Sequence, residues 1–167
     1  MNRQLDHAKR LETFPPFASM GVRVVELSDD WRGLRVLLPL NERNRNPGGS
    51  MFGGAVAALA DPIPALACNR LFPGHAVWTR ILKVEFLRPG VADLELRFDF
   101  DTGIEEQVRN DLKSKGRSSP HFEFGFYLPD GELSAWVSNQ VAIRPLGESI
   151  DKSGALGASA GVNKQVV

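Results

Sequence analysis

The most regular alternation of apolar and polar side chains lies between Ala92 and Phe100. Every second residue there is apolar, and the residues between them are charged. This period of two predicts a strand with one face on the core and one in water. Similar patterns predict strands over 21–27, 31–40, 75–88, 122–128 and 133–143, separated by turns at Asp29-Asp30, Pro89-Gly90 and Pro129-Asp130-Gly131. In the strand over 75–88, one face is expected to carry Trp78, Leu82, Val84 and Phe86.

Two shorter segments carry helical signals. Residues 1–14 are charged throughout and end at Pro15-Pro16, which indicates a short helix with a solvated surface. Residues 102–115 begin with a capping box, in which Thr102 is the N-cap and Glu105 reaches back to it. Gly116 is a suitable stop for this helix, which we expect on the surface between two strands.

The longest nearly uncharged segment, residues 46–71, opens with a glycine-rich turn and continues at helical spacing, with Ser50 as the expected N-cap. One stripe of the helix holds Val56, Leu59, Ile63 and Leu66. The opposite side holds Gly54, Ala57, Ala58, Asp61, Pro64, Ala65 and Cys68. A helix with one wet face would carry several charged residues there, so this helix is predicted to be buried all round.

Asp61 is the residue of this helix that needs a separate explanation, because an unpaired buried carboxylate is costly. It precedes Pro62, and the residue before a proline is disfavoured in helical geometry, so the helix should bend there. One interpretation is structural: the carboxylate binds a backbone N–H freed at the bend. The other is chemical: a desolvated carboxylate in a cleft acts as a base or nucleophile. The residues by themselves leave both open.

The order of these elements predicts an α+β fold, with a curved antiparallel sheet wrapped around one long central helix. The expected division is an N-terminal helix over 1–14, a single domain over 15–146 and a flexible tail over 147–167. The small side chains of the central helix allow a second backbone to approach closely. A second copy of the chain is the expected cover, so we predict at least a homodimer.

Composition narrows the function classes. The chain has 167 residues with 20 basic and 20 acidic side chains, and the absence of a basic excess argues against nucleic acid as the main partner. Cys68 is the only cysteine, so neither an internal disulfide nor a cysteine-based zinc site is expected. No segment has the pattern of a signal peptide or a membrane span. We therefore expect a cytoplasmic protein without a cofactor.

The segment from Asn46 to Asp61 resembles the hotdog-fold acyl-CoA thioesterases of the phenylacetate-pathway (PaaI-like) type. Those proteins show an Asn, then a His-Gly-Gly that opens the central helix, then an acid nine residues after the His. Asn46, Gly53-Gly54 and Asp61 match, and Phe52 stands in place of the His. The variant Met51-Phe52-Gly53-Gly54, with Trp78 and the run Phe86 to Gly90, is similar to a poorly characterised branch. The resemblance covers about residues 15–145.

The resemblance implies a hotdog homodimer in which Gly53 of one chain faces Asp61 of the other. Asp61 would be the base or nucleophile, the Gly53 N–H would stabilise the oxyanion, and Asn46 would orient the water or the thioester. The expected substrate contacts are Met51, Phe52, Gly54 and Trp78. Simpler alternatives remain: the glycines permit close packing, and Asn46 is a turn residue. A catalytically silent hotdog protein that binds an acyl group or serves as a dimeric scaffold is the second hypothesis, because Phe52 cannot hydrogen-bond or titrate.

Overall fold

The computed structural model describes residues 3–147, 149–150 and 156–157. The helices are α1 (Arg3–Thr13), α2 (Pro15–Met20), α3 (Gly53–Ala60), α4 (Ile63–Leu71) and α5 (Thr102–Lys115). The long strands are β1 (Arg23–Leu27), β2 (Gly33–Leu38), β3 (His75–Phe86), β4 (Leu94–Asp99), β5 (His121–Tyr127) and β6 (Leu133–Pro145). None of the helices in the described segments has both the length and the apolar character needed to cross a bilayer.

The six long strands form one antiparallel sheet in the order β1-β2-β4-β5-β6-β3. Strands β1 and β3 are therefore its two edges. The alternation predicted for 92–100 is confirmed, because Leu94, Leu96, Phe98 and Phe100 are all buried. Two short strands, β7 (Ser149–Ile150) and β8 (Leu156–Gly157), pair with each other. The rest of the expected flexible tail after Gly147 lies outside the described residues.

The central helix packs on the sheet as the hotdog arrangement requires, which confirms the predicted fold. Val56, Leu59 and Ile63 are at most 2% exposed, and they belong to one core cluster with Leu96, Phe98, Phe122 and Val137. Burying this stripe removes apolar area from water, which is the main favourable contribution to folding.

The central helix is broken into α3 and α4 at Asp61-Pro62, as the proline predicts. Because of the break, the side chains of α4 face different directions from those that one continuous helix would give them. The sequence predicts Pro64 and Cys68 on the side opposite the Val56 stripe, but they lie in the core. It predicts Leu66 in that stripe, but Leu66 is only half-buried. Burial raises the pKa of the Cys68 thiol to about 12. The prediction of one continuous stripe is therefore correct only as far as Ile63.

A β-bulge in β3 overturns the predicted face of Trp78. The register with β6 shifts between Thr79 and Ile81, so Arg80 is an extra residue and the side-chain alternation reverses there. Leu82 and Val84 pack on the core, whereas Trp78 lies opposite Ala142 on the other face of the sheet. The sequence alternates with a period of two both before and after the bulge. The bulge is therefore visible only in the pairing with β6.

The N-terminal region is more closely attached than its charge predicts. Pro15 and Pro16 do not simply end α1, because they begin a second helix, where a missing N–H costs nothing. Leu11 is 7% exposed, and the carboxylate of Glu12 accepts a 2.8 Å hydrogen bond from the N–H of Val24. The expectation of a fully solvated surface helix is wrong for this side of α1.

The start of α5 also differs from the predicted capping box. Asp101 is the N-cap, and its carboxylate accepts from the N–H of Ile104 at 3.0 Å. Glu105 instead binds Arg109 and Arg32, and these hydrogen bonds lower the pKa of its carboxyl despite partial burial. Glu105 thus ties α5 to the turn before β2, while Gly116 ends the helix as predicted.

We predict that Leu59→Ala lowers the free energy of unfolding by about 2–5 kcal/mol, because Leu59 is fully buried and the sheet cannot collapse into the space. Chemical denaturation at one fixed protein concentration measures the loss. Leu146→Ala, at a leucine that is 72% exposed, is the matched control and should change it by less than about 0.5 kcal/mol. Equal effects of the two substitutions would contradict the orientation of α3.

Candidate active site

The first turn of α3 exposes two backbone donors. Phe52 is the N-cap, in an extended conformation and without a side-chain cap. The N–H groups of Ala55 and Val56 donate to the Phe52 carbonyl. Those of Gly53 and Gly54 have no acceptor in the part of the chain that the structure describes. Both groups lie at the end of the helix where the backbone dipole favours negative charge.

Ser50 does not cap this helix, contrary to the prediction. Its hydroxyl accepts a 2.9 Å hydrogen bond from the amide of Asn46, and its own N–H donates to Asn46 Oδ1 at 3.2 Å. The helix begins later than the sequence pattern indicates, so Ser50 closes the preceding loop. As a consequence, no side chain accepts a hydrogen bond from the free N–H groups of the first turn among the described residues.

Both glycines of the first turn lie against aromatic rings. A Cβ built on Gly53 would lie 2.8 Å from the ring of Phe86, and one on Gly54 would lie 2.3 Å from the ring of Phe52. The two rings are 60% and 53% exposed. The close contacts of the two glycines are therefore with exposed side chains rather than with the sheet backbone.

A cavity of about 380 Å³ opens beside Gly53. It is bounded by the helix start, by the end of β3 with its following turn, and by β6. Its walls include Asn46, Met51, Gly53, Val56, Phe86, Pro89, Gly90 and Ser134. Three of the predicted site residues therefore meet here, together with the run Phe86 to Gly90 that the family motif singles out.

The loop carrying Met51 and Phe52 is held by long-range backbone hydrogen bonds. Met51 donates to the carbonyl of Gly90 at 2.8 Å, and Phe52 donates to that of Asn44 at 2.6 Å. Asn44 is 1% exposed and binds the carbonyls of Met20 and Pro39. Sequence reasoning missed Asn44, because an Asn in a polar loop gives no signal that it is buried.

Asn46 acts first as a loop residue. Its amide nitrogen donates to the hydroxyl of Ser50 and, at 3.3 Å, to the carbonyl of Met51. Its oxygen accepts from the Ser50 N–H. The turn interpretation therefore accounts for every hydrogen bond of this side chain, although Asn46 also lines the cavity.

Asp61 lies away from this cavity and is exposed in the single chain, so the prediction of a helix buried all round is wrong for the chain alone. Its carbonyl oxygen accepts from Thr79 Oγ1 at 2.7 Å and from Asn139 Nδ2 at 3.1 Å. Its carboxylate has no hydrogen-bond partner among residues 3–147. Asp61 comes eight positions after Gly53, about 12 Å along a helix. One chain therefore does not bring the two together.

The exposed side of α3 carries Gly54, Ala58 and Asp61, with Phe52 at its start. We call this set the small-residue face. Phe52 and Gly54 lie on it rather than in the cavity wall, and Trp78 lies on the outer face of the sheet. The substrate contacts predicted from the sequence are thus divided among three surfaces of one chain.

Comparisons with known proteins agree with the fold. A family model described as "Domain of unknown function (DUF4442)" matches residues 6–141. A search of curated proteins finds no match. Among solved structures, the PA5026 protein of Pseudomonas aeruginosa, described as a protein of unknown function and probable thioesterase, is 20% identical with a TM-score of 0.74, over 86% of this chain and 96% of that one.

Two other solved structures are similar over most of their length. The thioesterase HI1161 of Haemophilus influenzae is 17% identical with a TM-score of 0.68, covering 87% of this chain and 94% of that one. The PaaI protein of the E. coli phenylacetic acid degradation operon is 21% identical with a TM-score of 0.61, covering 84% and 91%. At these identities the likeness establishes the fold.

We predict that Asn46→Ala lowers the free energy of unfolding by about 1–3 kcal/mol, because it leaves the N–H of Ser50 and the carbonyl of Met51 without their partner. Thermal and chemical denaturation measure the change. Asn110→Ala, at an exposed position of α5, is the control and should be near neutral. If Asn46→Ala were also neutral, the loop role would be refuted and a purely catalytic role favoured.

Proposed function

This chain belongs to the family described as Domain of unknown function (DUF4442), and we propose that it hydrolyses an acyl-CoA or similar acyl thioester to a free acid and a thiol. The observation that carries the proposal is the uncapped helix start, where the Gly53 N–H lies free in the wall of a cavity. Thioester hydrolysis forms an oxyanion on the carbonyl oxygen, and a fixed backbone donor stabilises that charge.

The site requires two chains. Gly53 and Asp61 lie at opposite ends of α3, whereas a second copy placed against the small-residue face would bring its own Gly53 toward Asp61. Strand β3 supports such an assembly, because it is a twelve-residue edge strand with an exposed Ile81, and an unpaired edge invites pairing. We propose a homodimer, or a dimer of dimers, with two equivalent sites between its subunits.

Asp61 supplies the chemistry in this proposal. As a base, its carboxylate takes a proton from water while the water oxygen bonds to the thioester carbon. The C–S bond then breaks, and the thiolate leaves with that proton. As a nucleophile, the carboxylate attacks the carbon first, and the C–S bond breaks to release the thiolate and leave an anhydride. Water then hydrolyses the anhydride, which releases the acid and restores the Asp61 carboxylate, and the proton freed from water converts the thiolate to the thiol. When the partner subunit covers the Asp61 carboxylate, bulk water is removed from it. This desolvation makes the carboxylate more reactive both as a base and as a nucleophile.

The remaining predicted residues have supporting roles. Asn46 holds the loop at the helix start, and its amide lies in the cavity wall for orienting water or the thioester. Met51, Phe52 and Gly54 surround the helix start and would contact the substrate. The resemblance to the Met-Phe-Gly-Gly branch rests on Phe52 standing where a His is otherwise found. Trp78 would contact substrate only where the assembled protein brings the outer face of β3 near it. We place the activity in the cytoplasm, consistent with the single, unpaired Cys68.

A silent hotdog protein is the second candidate, and Phe52 favours it. The side chain is 53% exposed and has no group that could bond or polarise a thioester. Such a protein would bind an acyl group or serve as a dimeric scaffold without turnover. A screen of acyl-CoA lengths with detection of free thiol separates the two candidates.

We predict a stable dimer at micromolar concentration by sedimentation velocity. Ala58→Glu on the small-residue face should shift it to monomer, because the charge would be buried without a partner. Ala18→Glu, on the exposed side of α2, is the matched control and should remain dimeric. A monomeric wild-type protein would refute the two-chain site.

We predict that Asp61→Asn lowers the hydrolysis rate by about 10²–10⁴-fold, because Asn keeps the size but loses the charge and basicity. Fold and dimer should persist, with the melting temperature kept or raised, since an interface carboxylate is no longer desolvated. Asp29→Asn, at an exposed turn, should leave the rate unchanged. An unaltered rate in Asp61→Asn would exclude its catalytic role.

A further inference from the structure

A second cavity, of about 360 Å³, lies between the N-terminal helices and the break in the central helix. Its apolar wall is formed by Leu11, Phe14, Trp31, Pro62 and Leu66, while His7 and Arg10 also line it. It shares no lining residue with the cavity at Gly53. Its volume is in the range of small-molecule sites and well above the roughly 30 Å³ that one water occupies.

Trp31 occupies this wall at an energetic cost. It is the only non-glycine residue in the described chain with a positive φ, at 64°, a conformation that bulky side chains rarely adopt. Its ring is 9% exposed, and its indole N–H is buried and donates to no acceptor within the described residues. Strain of this kind persists where the position has a use, and here the ring contributes apolar surface rather than a hydrogen bond.

The surrounding contacts keep the cavity wall in place. The N–H of Trp31 donates to the carbonyl of Ser28 at 3.0 Å, and the hydroxyl of Ser28 bonds Asp30 at 2.8 Å. On the other side, the hydrogen bond from Val24 to Glu12 attaches α1 to the sheet. The rings of His7 and Trp31 pack edge to face, with 5.6 Å between their centroids.

The position of the cavity connects it to Asp61. Pro62 forms part of its wall and directly follows Asp61, whose backbone is fixed to the sheet by Thr79 and Asn139. Consecutive Cα atoms are about 3.8 Å apart, so the cavity wall begins at the residue that directly follows the Asp61 backbone. No Asp or Glu lines it, and the aliphatic and aromatic side chains suit a hydrocarbon.

We infer that this cavity receives the hydrocarbon part of the acyl group, with the thioester carbonyl at the Asp61 end and the chain running past Leu66 toward Trp31. The inference rests on the proposed thioesterase function and adds a substrate class to it. The substrates are thioesters of extended apolar acids rather than of acetate, and Leu66 narrows the path that the acyl chain follows.

Binding is tested first without turnover, using octanoate and ω-bromooctanoate as probes. Bromine quenches tryptophan on contact, so ω-bromooctanoate should quench the wild-type fluorescence saturably and octanoate should compete. Trp31→Phe should lose this quenching while still binding octanoate by calorimetry, since only the ring type changes. Quenching that is absent in the wild type, or unchanged in Trp31→Phe, would overturn the inference.

Filling the cavity is the second test. Leu66→Trp should weaken octanoate binding by at least about tenfold, a size typical of misfit in an apolar pocket. The same substitution at an exposed leucine, Leu146→Trp, should leave binding unchanged. Leu66→Phe, a smaller change, replaces Leu66→Trp if circular dichroism shows that the latter is unfolded. Equal octanoate affinity in the folded Leu66 variant and the wild type would refute the location.

Hydrolysis separates this inference from the function on which it rests. Leu66→Trp should reduce kcat/KM for octanoyl-CoA by at least about tenfold, and it should reduce kcat/KM for acetyl-CoA much less. If octanoate binds as described but no acyl-CoA is hydrolysed by the wild type, the thioesterase proposal fails and the acyl cavity stands. If Leu66→Trp hydrolyses acyl-CoA with the same dependence of kcat/KM on acyl-chain length as the wild type, the cavity assignment fails and the thioesterase proposal stands.

Discussion

Two side-chain hydrogen bonds to a single carbonyl oxygen fix the break in the central helix, and the arrangement of the rest of the molecule depends on it. Thr79 and Asn139, from neighbouring strands, both donate to the backbone oxygen of Asp61. Pro62 and Pro64 lack N–H groups, so the helical hydrogen-bond ladder is interrupted at this point. The missing donors would have served the carbonyls of Ala58 and Ala60. At this interruption the sheet supplies two donors to the Asp61 carbonyl, and these bonds attach the break to β3 and β6.

The break divides the helix into parts with different surroundings. Before it, Leu59 faces the sheet while Ala58 and Asp61 face outward. After it, Cys68 is in the core and Leu66 lies half-buried beside the N-terminal helices. A continuous helix would have kept one stripe on the sheet throughout. The interruption instead leaves an apolar cavity whose wall begins at Pro62, directly after the exposed Asp61, and the proposed acyl site depends on this sequence neighbourhood.

The two ends of α3 are chemically complementary but cannot meet within one chain. The free N–H groups at Gly53 and Gly54 suit a developing negative charge, and Asp61 supplies a carboxylate one helix length away. The proposed dimer would solve two problems together. A second copy against the small-residue face would cover small side chains that a solvated helix rarely carries, and it would lower the local dielectric around the carboxylate and the backbone donors. In this proposal, assembly and chemistry are a single requirement.

The sequence by itself determined the features that depend on near neighbours in the chain. The alternation from Leu94 to Phe100, the stop at Gly116 and the break before Pro62 follow from local sterics and from the period of each element. Only the tertiary structure decided features that need a distant partner. The bulge at Arg80 is set by pairing with β6 and moves Trp78 to the outer face. Glu105 binds Arg32 across the fold rather than capping its own helix. Likewise, the loop held by Asn44 and Gly90 delays the helix start past Ser50, and so leaves the Gly53 N–H free.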